Sequence, residues 1–278
     1  MEIAHSEIAV YNIVQPPLTI NPKMKPHMST ISLIIPIYQA EDFIQDNLTS
    51  IAKYCEKSPH IKDIVLVNDG STDRTHSLIK TFLQTHTEYF TYIPLKTNMG
   101  KGAAIKAGIK AAQGDYVIFT DCDLPYAFSN IDNAIKQLTD QQAQVVVGSR
   151  MHPNSLYHIR PQNLSYIYIR HTSGRFFNKL VKFSTGLKMD DTQAGLKGFD
   201  RDTAHLCVDK MTIEGFAFDI DLLTCASQNK KDIVQIPLEF NYDSEMSTLS
   251  FFKHAILMSF ALLRIGIKRM TKHYTRPC

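Results

Sequence analysis

From residue 31 to residue 150 the chain repeats one pattern: a short apolar run rich in Ile and Val, then a stretch of helix length. The runs are ISLIIPI from Ile31, DIVLVND from Asp63, FTYIPL from Phe90, DYVIFTD from Asp115 and AQVVVGSR from Ala143; the stretches between them are residues 40–54, 72–85, 100–113 and 130–138. A strand with water on one face alternates apolar and polar residues, and these runs are instead nearly continuous, so both of their faces must be covered. Buried strands separated by helices imply parallel βαβ units and one open sheet with helices on both faces. The expected class is α/β, Rossmann-like and mostly parallel. Such a sheet binds ligands beyond the carboxyl ends of its strands, so the residues closing each run are the informative ones. They are Pro36 with Tyr38, Asp69, Asp121 with Asp123, and Arg150.

The closing pair in TDCDLP is the sharpest signal. Two carboxylates one residue apart repel each other unless a cation neutralises them. At the ligand edge of a parallel sheet, hard oxygen ligands of this kind suit a phosphate-bound Mg2+ or Mn2+, held by Asp121 and Asp123. The same spelling recurs at Asp219 and Asp221 within FAFDIDLL, a segment expected to be helical. Position, not spelling, separates the two pairs.

Other chemistries lack their signatures. NMGKGAAIKAG has neither the Walker spacing nor a third glycine for a dinucleotide turn, and PIYQAED after the first run has no glycine. There is no G-x-S-x-G elbow and no H-E-x-x-H. Five cysteines, odd in number and never spaced C-x-x-C, indicate neither a disulfide framework nor a zinc knuckle and fit a reducing cytosol. With 44% hydrophobic and 21% charged residues in 278, the chain can bury a large core. Residues 1–29 carry Glu2 and Glu7 where a secretory signal is basic and end in a proline-punctuated stretch, so they are expected to be an extension or linker. His76, His158 and His171 belong to no motif and are read as surface or packing residues.

In chain order, PIYQAED, VNDGSTDRT, NMGKGAAIKAGIKAAQGDYVIFTDCDL, VVVGSR and DTQAGLKGF resemble the family 2 glycosyltransferases of the GT-A fold, over residues 31–242. Within that family they look most like the enzymes that move a sugar from a nucleotide sugar onto a polyprenyl or dolichyl phosphate. The resemblance implies that Pro36, Tyr38, Glu41 and Asp69 hold the base and ribose, with Lys101 near the base or diphosphate and Cys122 beside the nucleotide. It implies that Asp121 and Asp123 ligate Mg2+ or Mn2+, that Arg150 approaches the diphosphate or the acceptor phosphate, and that Asp191 and Gln193 reach the sugar side. Gln39 and Asn68 depart from the usual Asn and Asp of the family, and Pro125 replaces a glutamine of the mannose synthases, which tilts the comparison toward the glucosyl-transferring relatives.

Charge then points to the acceptor. No acid lies between Asp140 and Asp190, while Arg150, Arg160, Arg170, Arg175, Lys179, Lys182 and Lys188 all do. Arg170 and Arg175, beside YIYI and FF, combine the cations and apolar groups that a lipid phosphate needs; nucleic acid is the competing reading of the same patch. No acid follows Glu245, and residues 247–278 are expected to form a basic amphipathic helix, with Lys253, Arg264 and Lys268 near one stripe, lying on a membrane surface without crossing it. Residues 30–246 are the expected transferase domain, cytoplasmic or peripheral on the cytoplasmic face. A phosphate acceptor is already ionised and needs no base. A hydroxyl acceptor, the alternative, needs one, for which Asp191, Asp219 and Asp221 are the candidates. A nucleotide-sugar or nucleic-acid binder without activity is the third reading.

Overall fold

The computed structural model describes residues 28–158, 177–241 and 251–276. The expected alternation is present: β1 (Ile31–Ile37), α1 (Ile44–Cys55), β2 (Ile61–Asn68), α2 (Thr75–Leu83), β3 (Phe90–Pro94), α3 (Lys101–Ala111), β4 (Tyr116–Phe119), α4 (Phe128–Thr139) and β5 (Val145–Ser149). There follow β6 (Leu156–His158), a helical segment over residues 177–185, β7 (Lys197–Asp200), α5 (Arg201–Lys210), α6 (Phe218–Gln228), β8 (Ile233–Pro237), β9 (Glu239–Asn241) and α7 (Phe251–Met270).

Seven strands form one sheet in the order β3-β2-β1-β4-β7-β5-β8, and β6 pairs with β9 beside it. All neighbours in the large sheet are parallel except β7, which runs antiparallel between β4 and β5. The apolar runs do not announce β7, because KGFD is short and polar at both ends. Every residue of β1 is buried, and its side chains alternate between two cores as strand geometry requires. Leu33, Ile35 and Ile37 face α1, α2 and α4, while Ile34 faces α3, α5, α6 and α7.

Chain order decides where a ligand can enter. From β1 the chain steps outward through β2 and β3, then returns to the other side of β1 as β4. The loops leaving β1 and β4 therefore diverge, and a crevice opens between their carboxyl ends. Tyr38 and the Asp121–Asp123 turn stand at that crevice.

The carboxyl-terminal helix corrects one expectation. Lys268 does not share an outward basic stripe with Arg264: it is buried, and its ammonium donates to both oxygens of Asp221 at 2.9 and 3.2 Å. Leu262 and Ile265 join the same core as α6. The basic segment containing Arg160, Arg170 and Arg175 and the expected boundary near residue 246 lie outside the described residues, as does nearly all of the amino-terminal extension.

Candidate active site

The site is assembled by four loops. After β1, Gln39 takes a left-handed conformation (φ 49) and its side-chain oxygen accepts from Thr72 N at 3.1 Å and Asp73 N at 3.2 Å. The glutamine thereby ties the first loop to the second, and Tyr38 projects between them, about half exposed. Glu41 accepts from the backbone and side chain of Arg74 at 3.0 and 3.1 Å, bonds that hold its carboxyl below the usual range. After β2, Asp69 turns inward: its two oxygens accept from Met99 N at 2.8 Å and Gly100 N at 2.9 Å. Asp69 thus shapes the loop entering α3. Gly100, at φ 99, lets that loop press against the carbonyl of Glu214, where a Cβ would collide.

This docking aims the first residue of α3 at the end of β4. Lys101 Nζ pairs with Asp121 Oδ1, its side chain 28% exposed. Burial works against the ammonium, but Asp121 and Asp219 hold it protonated well above the usual lysine range. Leu124 closes the turn in a left-handed conformation (φ 50), its N–H donating to Asp121 O at 3.2 Å, which keeps half-buried Asp123 at the same mouth. Burial, reinforced by the flanking carboxylates, pushes the Cys122 thiol up to about 12, so it stays neutral.

The floor beneath Asp121 is Gly195. A Cβ there would overlap both oxygens of the Asp121 carboxylate, so any larger residue would force the carboxylate out of this position. Its N–H donates to the hydroxyl of buried Tyr126 at 2.8 Å. Upstream, Asp191 fixes the same loop by accepting from Arg150 Nε at 2.8 Å, Arg150 Nη2 at 3.0 Å and Gln193 N at 3.1 Å. Burial alone would raise the Asp191 carboxyl, but the Arg150 charge and hydrogen bonds prevail and hold it at about 2. The resemblance implied that Arg150 approaches the diphosphate or the acceptor phosphate and that Asp191 reaches the sugar side. The structure joins them into one brace that seats Gly195. Gln193 points toward α7, its amide 4.0 Å from Met258 Sδ.

Two hard carboxylates on one turn, a glycine cradle sized to one of them and a lysine beside it suit a divalent ion whose remaining ligands come from phosphate or water. Among the described residues no third His, Cys, Asp or Glu completes a protein-only site. Asp121 and Asp123 are the residues that would hold such an ion.

Residues 32–206 match the model of glycosyl transferase family 2. The chain belongs to that family. A dolichyl-phosphate beta-glucosyltransferase of Trichomonas vaginalis is 31% identical over 249 residues, covering 85% of this chain and 73% of the relative. A mannosyltransferase of Pyrobaculum calidifontis, solved with GDP-Man and Mn2+, shares the fold at TM-score 0.57 and 20% identity, over 88% of this chain and 65% of that one. Glucosyl-3-phosphoglycerate synthase of Mycobacterium tuberculosis, solved with Mn2+ and UDP-glucose, does so at TM-score 0.56 and 18% identity, over 90% and 80%. The GT-A fold is thus established, and the chain is a family 2 glycosyltransferase.

Within this glycosyltransferase two site residues had no signal of their own in the sequence. Tyr126 looks like an ordinary core aromatic. Lys197, in the middle of GLKGF, is fully buried and pairs with Asp219 Oδ1 at 2.8 Å. Burial pushes the Asp219 carboxyl up despite Lys197 and Lys101, and Asp219 lies between the two lysines in a row that runs from Asp121 through Lys101 and Asp219 to Lys197.

Proposed function

We propose that this enzyme transfers a hexose, with UDP-glucose favoured and GDP-mannose as the other donor, onto a polyprenyl phosphate with inversion. One observation favours this acceptor over a hydroxyl. The three carboxylates read as candidate bases each pair with a cation: Asp191 with Arg150, Asp219 with Lys197 and Asp221 with Lys268. A hydroxyl must lose a proton during attack. A phosphomonoester, with a second pKa of about 6, is already largely a dianion at neutral pH and asks only for cations. The likeness to dolichyl-phosphate beta-glucosyltransferases supports the same choice.

Tyr38 and the turn braced by Gln39 would receive the nucleoside, with Pro36 beneath and Glu41 and Asp69 shaping the loops around it. Lys101 keeps a positive charge beside the position of the diphosphate. Asp121 and Asp123 would hold Mg2+ or Mn2+, which when bound offsets the charge of the departing nucleoside diphosphate. Arg150, Asp191 and Gly195 keep Asp121 in place, and the wall containing Gln193 faces the acceptor. Because a polyprenyl phosphate is anchored in a bilayer, the enzyme would work peripherally, on the cytoplasmic face. Arg170 and Arg175 complete this reading as acceptor-phosphate cations.

The test is an assay of purified protein with UDP-glucose, GDP-mannose and UDP-N-acetylglucosamine, each with dolichyl or undecaprenyl phosphate in detergent. Transfer from UDP-glucose to either lipid phosphate is expected. Transfer to a soluble alcohol but to neither lipid phosphate would replace this reading with the hydroxyl one.

A further inference from the structure

The Asp121 carboxylate has two claims on it. Lys101 Nζ pairs with its Oδ1, and the turn it shares with Asp123 suits a divalent ion. One carboxylate cannot hold both at full strength, because a divalent ion repels a neighbouring ammonium twice as strongly as a monovalent ion at the same distance. The backbone has no room to resolve the conflict. Gly102 N donates to Glu214 O at 2.7 Å, and a Cβ on Gly102 would lie 2.6 Å from Cβ of Phe218, so the first turn of α3 is packed tightly against the start of α6. The Lys101 side chain, partly exposed and carried on a flexible four-carbon stem, is the part that can move.

The same packing supplies a second acid. Phe218 and Asp219 open α6, and Lys101 Nζ lies 6.0 Å from the centre of the Phe218 ring. Burial works against the Lys101 ammonium, and buried Asp219 comes second only to Asp121 in holding it charged. The cation on the other side of Asp219 is pinned. Fully buried Lys197 pairs with Asp219 Oδ1 at 2.8 Å, donates to Ala194 O and stands 5.8 Å from the centre of the Phe119 ring. Through Ala194 it also touches the loop in which Gly195 seats Asp121. Burial pushes the Asp219 carboxyl toward its neutral form, so a second cation drawn closer would favour its charge.

We propose that Lys101 is an exchangeable counter-ion, its ammonium leaving Asp121 for Asp219 when a divalent ion binds Asp121 and Asp123. Lys197 stays in place and keeps Asp219 ready to receive it. Because the Lys101–Asp121 pair must part first, the two aspartates hold a divalent ion weakly by themselves, and the anionic oxygens of a diphosphate make up the difference. Metal and nucleotide are therefore taken up together. The exchange rests on the metal site proposed above and deepens it.

Mn2+ alone, titrated by calorimetry into the full chain, tests the exchange without nucleotide or acceptor. Lys101→Met and Lys101→Gln remove the competing charge, and each should bind Mn2+ at least about tenfold more tightly than the wild type. Lys101→Arg keeps the charge and should bind no more tightly than the wild type. Two neutral variants guard against a local folding effect, which melting temperatures would reveal. Asp219→Asn removes the second seat, and its cost to Mn2+ binding should be at least about threefold greater in the wild-type background than in Lys101→Met. Neutral variants that bind Mn2+ no better than the wild type, or Lys101→Arg binding as tightly as they do, overturn the exchange. Equal losses from Asp219→Asn in both backgrounds remove Asp219 as the partner and the proposal with it. Asp123→Ala separates the two failures. If it abolishes Mn2+ binding while Lys101→Met fails to tighten it, the metal site stands and the exchange falls. If it leaves wild-type Mn2+ binding unchanged, the metal site itself is wrong and the exchange falls with it.

Discussion

Two of the Asp-x-Asp pairs in the chain, Asp121 with Asp123 and Asp219 with Asp221, do opposite work. Asp121 and Asp123 sit on a turn beyond β4, at the mouth of the crevice. Asp219 and Asp221 occupy the first turn of α6, where carboxylates favour the positive end of the helix dipole. Residues two apart on a helix point about 200° apart, so that pair cannot share a ligand. Asp219 accordingly faces Lys197 and the active site. Asp221 faces the other way, accepting from Thr212 N at 2.9 Å, Ile213 N at 3.2 Å, Lys268 and the Tyr274 hydroxyl. The second pair is split between chemistry and architecture, and the lesson is that backbone geometry decides whether neighbouring charges can act together.

Substitutions can break this contrast. Asp123→Ala should reduce transfer by about a thousandfold or more, as expected when metal-held charge stabilisation is lost, with little change in melting temperature. Equal loss of activity in Asp221→Asn at unchanged stability would erase the distinction. Asp221→Ala should instead leave Lys268 buried without a counter-ion and cost about 3–5 kcal/mol, read from urea unfolding. Between these lies Gly195→Ala: its methyl would displace the Asp121 carboxylate, so Mn2+ affinity, measured by titration calorimetry, should fall at least about tenfold, while nucleotide binding without metal changes little.

A pH dependence sharpens the role of the brace. Asp191 has a folded pKa of about 2, depressed below an unfolded value of about 3.9. Its stabilisation, roughly 2.5 kcal/mol by linkage, is present above about pH 4 and is lost as pH falls toward 2. Thermal melts between pH 5 and pH 2 should show this loss, and Arg150→Met should flatten it. An unchanged acid slope in the variant would mean that Arg150 is not what holds the carboxyl down.

Much of the frame could be read from periodicity. The five apolar runs became β1 to β5, although β3, at the edge of the sheet, is only partly buried, and the ends of those runs located the crevice. The motif DTQAG flagged the loop but not its role: that Asp191 grips Arg150, 41 residues away, and that Gly195 lies under Asp121, farther still in sequence, depend on distant loops meeting. Lys268 was misread because helical spacing places it on a stripe without saying which stripe faces inward.

By itself, the sequence determined the layered α/β fold and the carboxylates at the ligand edge, since these follow from local runs of hydrophobicity and from where each run stops. Only the tertiary structure decided which charges are paired, which helix face is hidden and which glycine makes room for a carboxylate. Those outcomes depend on contacts between distant segments, and a buried charge is settled by the partner that reaches it, not by its neighbours in the chain.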